Sequence, residues 1–308
     1  MEGLGFTTRP VSFDSDGTAC AGVLYRPDGV PDVPCVVMAH GFSATMDWIV
    51  PDFAQRFVSG GLAVLIFDYR HLGASGGQPR QLISTKRQRA DLRRAVEFAR
   101  SCEGIDPDRV ALWGTSLGGS HVIAHAVDDP RIAAVVANVP GLDLYTGIRG
   151  RAKPQGGPIS RRRILLATTR LLAAATADAV RGALRMSPHY IRVYGRLGEA
   201  IFSDPSLSDR FREVENSAPT WRNRCTPRFL FAAPRYREGT MERLRCPVLV
   251  TLARDDDVVS SAFVKEKAAK APRHEIREYP ARHFDMYHGA VRDQVASDQL
   301  AFLQRHLR

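Results

Sequence analysis

Apolar runs of four to nine residues recur along the chain, separated by turn-prone clusters and longer segments with helical spacing. The runs are PVSF (10–13), AGVLYR (21–26), PCVVMAH (34–40), LAVLIFDYR (62–70), RVALWGTS (109–116), IAAVVANVP (132–140), CPVLVTLAR (246–254) and HEIREYP (274–280). The first two predict a hairpin across DSDGT. Most later runs are continuously apolar, as strands buried on both faces must be, whereas HEIREYP alternates. Between them, Ala90, Leu92, Ala95, Val96, Phe98 and Ala99 recur at helical intervals, and the segment from Asp293 to Arg308 does the same with Val295, Leu300, Phe302, Leu303 and Leu307. Strand and helix in alternation predict an α/β fold with a mostly parallel sheet covered on both faces.

The alternation stops at Gly141 and resumes near Leu244. This divides the chain into a first core part (1–141), a helical, arginine-rich cap inserted after the sixth strand (142–244) and a second core part (245–308). In the cap, Ser160 is a candidate N-cap for a helix on which Ile164, Leu165, Thr168, Leu171, Leu172 and Ala175 are expected to share one face packed over the sheet.

Composition narrows the classes. A chain of 308 residues with 44% hydrophobic and 25% charged residues reads as globular. No apolar stretch approaches the roughly 20 residues that span a bilayer, and the N-terminus lacks the basic start and apolar centre of a secretory signal, so a cytoplasmic protein without integral membrane association is expected. Five cysteines, with no C-x-x-C pair, suggest neither a disulfide framework nor a zinc site. The net charge of +10 invites a nucleic-acid reading, but its distribution argues against one. Between Arg149 and Arg196 stand eleven basic residues and a single acid, Asp178, so this one segment holds the whole excess.

Candidate chemistry sits at predicted strand ends. Gly114-Thr115-Ser116-Leu117-Gly118 is a G-x-S-x-G pentapeptide, weak by itself because glycine and serine are common. Its place between the apolar RVALW and the helix-like LGGSHVIAHAV gives it weight: a strand-turn-helix is what a nucleophile elbow requires, whereas a loop serine has no such need. A serine hydroxyl requires a general base. His283 follows the last predicted strand in ARHFDMYHG and is the first candidate, with His288 its rival. The base needs a carboxylate to orient it, and Asp255, Asp256 and Asp257 follow a buried strand; the pattern leaves open which of the three points inward. For an oxyanion hole, the N–H of Leu117 comes with the elbow, and the N–H of Phe42 in HGF, after the third strand, is the second candidate donor.

These residues, in HGFSATM, FDYRHLGASGG (67–77), LWGTSLGGS, ARDDDVVSS and HFDMYHG, resemble those of the serine α/β-hydrolases over 10–141 and 244–308. The chain is most similar to a branch with dienelactone-hydrolase-like esterases, Xaa-Pro-peptidase-like hydrolases and polyketide-pathway hydrolases or acyl transferases. In that family the catalytic acid often lies four residues before the proline of a D-x-x-V-P stretch. Ser260 stands in place of that proline here, and the spacing implies Asp256, with Asp255 or Asp143 as alternatives. The resemblance implies an acyl-enzyme on Ser116, with His283 as base and Asp256 orienting it. It implies no cofactor and no metal, and a small-molecule ester or thioester as substrate. A carbon–carbon bond hydrolase or acyltransferase could use the same triad, and a ligand-binding protein of this fold is the alternative from outside the enzymes.

Other signals are weaker. His121 and His125 lie four apart on one helix, but H-V-I-A-H lacks the glutamate of a zincin. HLGASGG has no P-loop lysine, and a tight turn accounts for it. Arg161, Arg162 and Arg163 at a helix N-terminus oppose the macrodipole. A solvated basic face, an acidic group on the substrate and an anionic membrane surface are the three readings.

Overall fold

The computed structural model of the chain describes residues 5–145 and 159–307. Strand β1 (Phe6–Ser15) turns on Asp16 and Gly17, both at positive φ (50° and 77°), into the antiparallel β2 (Thr18–Pro27). That two-residue turn matches the right-handed twist of the strands it joins. The continuous apolar runs then become β3 (Val33–Ala39), β4 (Ala63–Phe67), β5 (Ile105–Thr115), β6 (Val135–Asn138) and β9 (Val248–Ala253). With the last strand, β10 (His274–Tyr279), all eight strands read from the pattern form one sheet in the order β1-β2-β4-β3-β5-β6-β9-β10, parallel from β4 onward. Strand β10 is the outer edge, which explains why its sequence alternates: one face meets solvent.

Helices α1 (Val50–Ser59), α2 (Thr85–Ser101), α3 (Leu117–Asp128), α6 (Ser261–Ala268) and α7 (Gly289–His306) flank this sheet. They bury the apolar faces of the strands in a core that includes Phe53, Leu92 and Trp113. The chain leaves β3 toward β4 and returns to place β5 on β3's other side, with Ala39 opposite Gly114. This reversal opens a crevice at the C-terminal ends of β3 and β5, where ligands bind in open α/β sheets. HGF and Ser116 both lie there.

Between β6 and β9 the chain forms α4 (Arg161–Ala183), β7 (Arg192–Tyr194), β8 (Ala200–Phe202), α5 (Ser208–Ser217) and short 3₁₀ turns. Two features depart from the expectation of a purely helical insertion. Strands β7 and β8 make a small parallel ribbon, in segments too short to show a period. Helix α4 does begin at Ser160, whose hydroxyl accepts from the Arg163 N–H, but its inward face matches the expected one only at Leu171 and Ala175. Ile164, Leu165 and Leu172 are exposed (49%, 67% and 48%), while Ala167, Ala175 and Asp178 are buried. Apolar residues occur all round this helix, so periodicity alone did not select a face. Close approach decides it, since a β-carbon on Gly198 would press on Ala167. Asp178, the one acid of the basic segment, is buried in a two-pronged pair with Arg228 (2.6 and 2.8 Å) and also accepts the His189 N–H. Of the arginine-rich stretch, residues 146–158 lie outside the described residues.

Candidate active site

Ser116 stands at the tip of the turn between β5 and α3 with φ 52° and ψ −119°, a strained conformation for a residue with a side chain. The flanking glycines make that turn possible. A β-carbon on Gly114 would strike the Gly118 carbonyl, and one on Gly118 would strike the carbonyls of Ala39 and His40. The strand, the helix and the β3 loop can therefore meet only with bare backbone at those positions.

The β3 loop lies directly against the serine: a β-carbon on Gly41 would sit 3.3 Å from that of Ser116. The backbone N–H groups of Phe42 and Leu117 have no hydrogen-bond partner among the described residues. Two free donors beside a hydroxyl are the arrangement that a developing oxyanion needs. The loop is held from behind by Asp68, whose carboxylate accepts the N–H groups of Met46 (2.7 Å) and Ala74 (2.8 Å). Burial pushes the Asp68 carboxyl up to about 6. The glycines of HLGASGG serve this turn, since a β-carbon on Gly73 would collide with the same carboxylate. His40, also buried behind the loop, is pushed down to about 4 by desolvation.

On the other side, Asp256 follows β9 and His283 follows β10, both 2% exposed. Asp256 Oδ2 lies 2.8 Å from His283 Nδ1. Its other oxygen accepts the N–H groups of Val258 and Val259 at 2.8 and 2.7 Å, which fixes the carboxylate toward the ring. The neighbouring acids are occupied differently: Asp255 is exposed, and Asp257 pairs with Arg282 at 3.0 Å. Asp143 accepts the N–H groups of Tyr145 and Tyr236. His288 starts α7 and lines a separate cavity with Asp47, Trp48, Glu213 and Arg292.

Tyr287 was not singled out by sequence reasoning. Its hydroxyl is 2.8 Å from Thr115 Oγ1 and 3.5 Å from His283 Nε2, so it links the residue before Ser116 to the imidazole nitrogen that Asp256 leaves free. Ser116 itself makes no side-chain hydrogen bond among the described residues. Spacing offered no signal for Tyr287, because in a turn of 3₁₀ helix residues three apart share a side and Tyr287 lies four after His283. Below Thr115, Asn138, Thr251, Gln299 and Trp113 form a buried hydrogen-bonded chain that joins β5, β6, β9 and α7. Satisfied buried networks of this kind rigidify the strands that carry a site.

The remaining candidates are structural. His121 is fully buried with Nε2 3.1 Å from Gln88 Oε1, and burial pushes it down to about 3. Among the described residues no three His, Cys, Asp or Glu side chains are grouped to hold a metal ion, and no helix is long and apolar enough to cross a membrane.

A cavity of about 400 Å³ opens over Ser116, within the range of small-molecule sites. Its floor includes Phe42, Leu117 and Val259, and its roof includes Leu171, Phe202 and Leu230 from the insertion. Phe42 stacks obliquely on Phe229 with ring centroids 4.7 Å apart, and Trp221 Nε1 donates to the Ser43 carbonyl at 3.0 Å, so the insertion also braces the β3 loop.

A family model described as serine aminopeptidase, S33 matches residues 32–294. The chain belongs to this family of serine α/β hydrolases. It is 36% identical over 297 residues to the quorum-quenching protein AidA of Acinetobacter baumannii, covering 96% of this chain and 94% of that one. It is 27% identical to thiohydrolase aneE of Aspergillus aculeatus, over 94% of this chain and 90% of the relative. The crystal structure of the α/β hydrolase GrgF from Penicillium superposes with a TM-score of 0.77 at 23% identity, covering 99% of each chain, which places the two in one fold. This chain is an enzyme of the hydrolase class, and its family points to a small-molecule substrate.

Proposed function

We propose that this hydrolase cleaves a carboxylic ester or thioester through an acyl-enzyme on Ser116. The reading rests most heavily on one observation: a buried Asp256–His283 pair is linked through the Tyr287 hydroxyl to the residue before Ser116, a serine held in a strained turn beside two backbone N–H groups without a partner among the described residues. In this mechanism His283 Nε2 takes the hydroxyl proton as Ser116 Oγ bonds to the acyl carbon, and Asp256 stabilises the imidazolium. The carbonyl oxygen gains the electron pair and is held by the N–H groups of Phe42 and Leu117. When the carbonyl re-forms, the C–O or C–S bond breaks and the leaving group takes the proton from His283. Water then attacks the acyl-enzyme by the same route, releasing the acid and restoring the serine. Residues 142–244 act as a cap that shapes the acyl pocket.

Hydrolysis of p-nitrophenyl esters and of S-acyl N-acetylcysteamine thioesters of increasing chain length tests the reading. Wild type is expected to turn over at least one series, with an optimum set by the 400 Å³ pocket, and Ser116→Ala to lose the activity. Equal rates in the two proteins would refute it.

A further inference from the structure

The cap contains a second and larger cavity, of about 920 Å³, lined by Arg163, Arg170, Arg192 and Arg196. It shares Ser203 and Asp204 with the acyl pocket, so the two spaces adjoin. Among the described residues none of the four guanidinium groups makes a hydrogen bond or an ion pair, although α4 and the β7–β8 ribbon bring them to one concavity. Elsewhere in the molecule arginines beside the core are paired: Arg70 with Asp91, Arg100 with Asp129, Arg228 with Asp178 and Arg282 with Asp257. The acids lining the cavity are Glu199 and Asp204, and the latter already accepts the Ser206 N–H. Among the described residues, four arginines against two acids leave an excess of positive charge in a space with a wall of low dielectric constant.

The size and number of donors select the ligand. A single carboxylate is satisfied by one guanidinium, which binds it with two parallel hydrogen bonds. Four guanidiniums around a space more than twice that of the acyl pocket suit a ligand with several negative charges. Guanidinium geometry favours phosphate oxygens in particular. The ligand must also be joined to an acyl group, because the two cavities adjoin.

We propose that this cavity binds the phosphorylated end of a thiol leaving group, so that the substrate is an acyl thioester of a phosphopantetheine-type carrier with its acyl chain over Ser116. This deepens the ester or thioester reading above and rests on it. Specificity would then come from two places, with the apolar pocket measuring the acyl chain and the arginines selecting the carrier.

The test compares kcat/KM for butyryl-coenzyme A, butyryl-4′-phosphopantetheine and S-butyryl N-acetylcysteamine in wild type and in the double variant Arg192→Gln/Arg196→Gln. Neither arginine lines the acyl pocket. Wild type is expected to prefer the phosphorylated thioesters over the N-acetylcysteamine thioester. That preference should fall at least about tenfold in the variant, the scale of one lost charge-assisted hydrogen bond. Retention of the preference with phosphopantetheine alone assigns recognition to its phosphate, and dependence on coenzyme A assigns it to the nucleotide phosphates; both support the proposal. The same preference in wild type and variant overturns it, as does no preference in wild type.

If p-nitrophenyl esters are turned over and no thioester is, the thioester-carrier proposal fails while the ester reading stands; if neither is turned over, the catalytic reading fails and the cavity is judged by calorimetry with coenzyme A on the full chain. Binding that weakens at least tenfold in the double variant upholds an anion site, whereas equal or absent binding removes it.

Discussion

The floor and the roof of the cavity over Ser116 are built on different principles. In the floor, every polar side chain named above with a buried carboxylate has found partners: Asp256 holds His283 and two N–H groups, and Asp68 holds two more. Glycines permit contact between backbones, and the strands carrying the site are cross-linked by the network around Asn138. In the roof, α4 docks through alanines and one buried acid, leaves five large apolar side chains exposed and presents to a cavity arginines that have no partner among the described residues. The floor is cross-linked by buried hydrogen bonds, whereas the roof leaves apolar side chains of α4 exposed and touches the floor where Phe229 and Trp221 brace the β3 loop.

The largest effect is expected from the floor. Asp256→Asn should preserve the shape of the pocket but remove the charge that stabilises the imidazolium, lowering kcat by about 10³- to 10⁴-fold with little change in KM. A loss below tenfold would show that another acid serves His283.

Acid should loosen the floor before the roof. Desolvation pushes His40 and His71 down to about 4 and His121 down to about 3, from an ordinary value of 6.5. Below 6.5 the unfolded chain takes up these protons and the folded chain does not. Stability is therefore fully present above that value and is lost as pH falls toward 4, by about 2 kcal/mol for each histidine at pH 5. Asp68 has the opposite sign. Its raised carboxyl binds a proton first in the folded state, so as pH falls from 7 to 5 it returns about 1 kcal/mol. Urea midpoints at the two pH values should show a net loss at pH 5, and an unchanged or higher midpoint would contradict this balance.

For the roof, Asp178→Ala leaves Arg228 without its buried partner and should weaken cap docking by about 3–5 kcal/mol. The expected readouts are a raised KM and faster hydrogen exchange across α4, with exchange in β5 and β6 unchanged. Equal loss of protection in cap and sheet would show that the two regions fold as one unit.

These same regions differ in what their sequence reveals. Strands β3, β5 and β9 of the floor end in continuous apolar runs, because burial on both faces leaves no polar positions, and Phe42, Ser116 and Asp256 follow them within four residues, as His283 follows the alternating edge strand β10. Position alone left Asp255 and Asp257 open. The choice depends on the N–H groups of Val258 and Val259 and on Arg282, contacts that spacing does not encode. The roof was legible only as a basic, helix-rich insertion. Its inward face is set by Gly198 and Arg228, which lie far along the chain from Ala167 and Asp178. Its arginine cavity joins Arg163 and Arg170 of α4 to Arg192 and Arg196, which follow them by more than twenty positions.

The smallest effect is expected at Tyr287. Tyr287→Phe removes the hydrogen bond to Thr115 and the contact with His283, at a cost of about 1 kcal/mol in stability. If the hydroxyl positions the imidazole, kcat falls several-fold and the basic-side limit of its pH profile is unchanged while the acid-side limit moves. A change confined to the melting temperature would make the tyrosine structural.

The most direct measurement is the site of covalent modification. Wild type and Ser116→Ala are treated with a stoichiometric fluorophosphonate, digested and analysed by mass spectrometry. One adduct on the peptide containing Ser116, absent from the variant, is the expected result. An unlabelled wild type that still hydrolyses ester or thioester, or an adduct on another residue, would contradict an acyl-enzyme at Ser116.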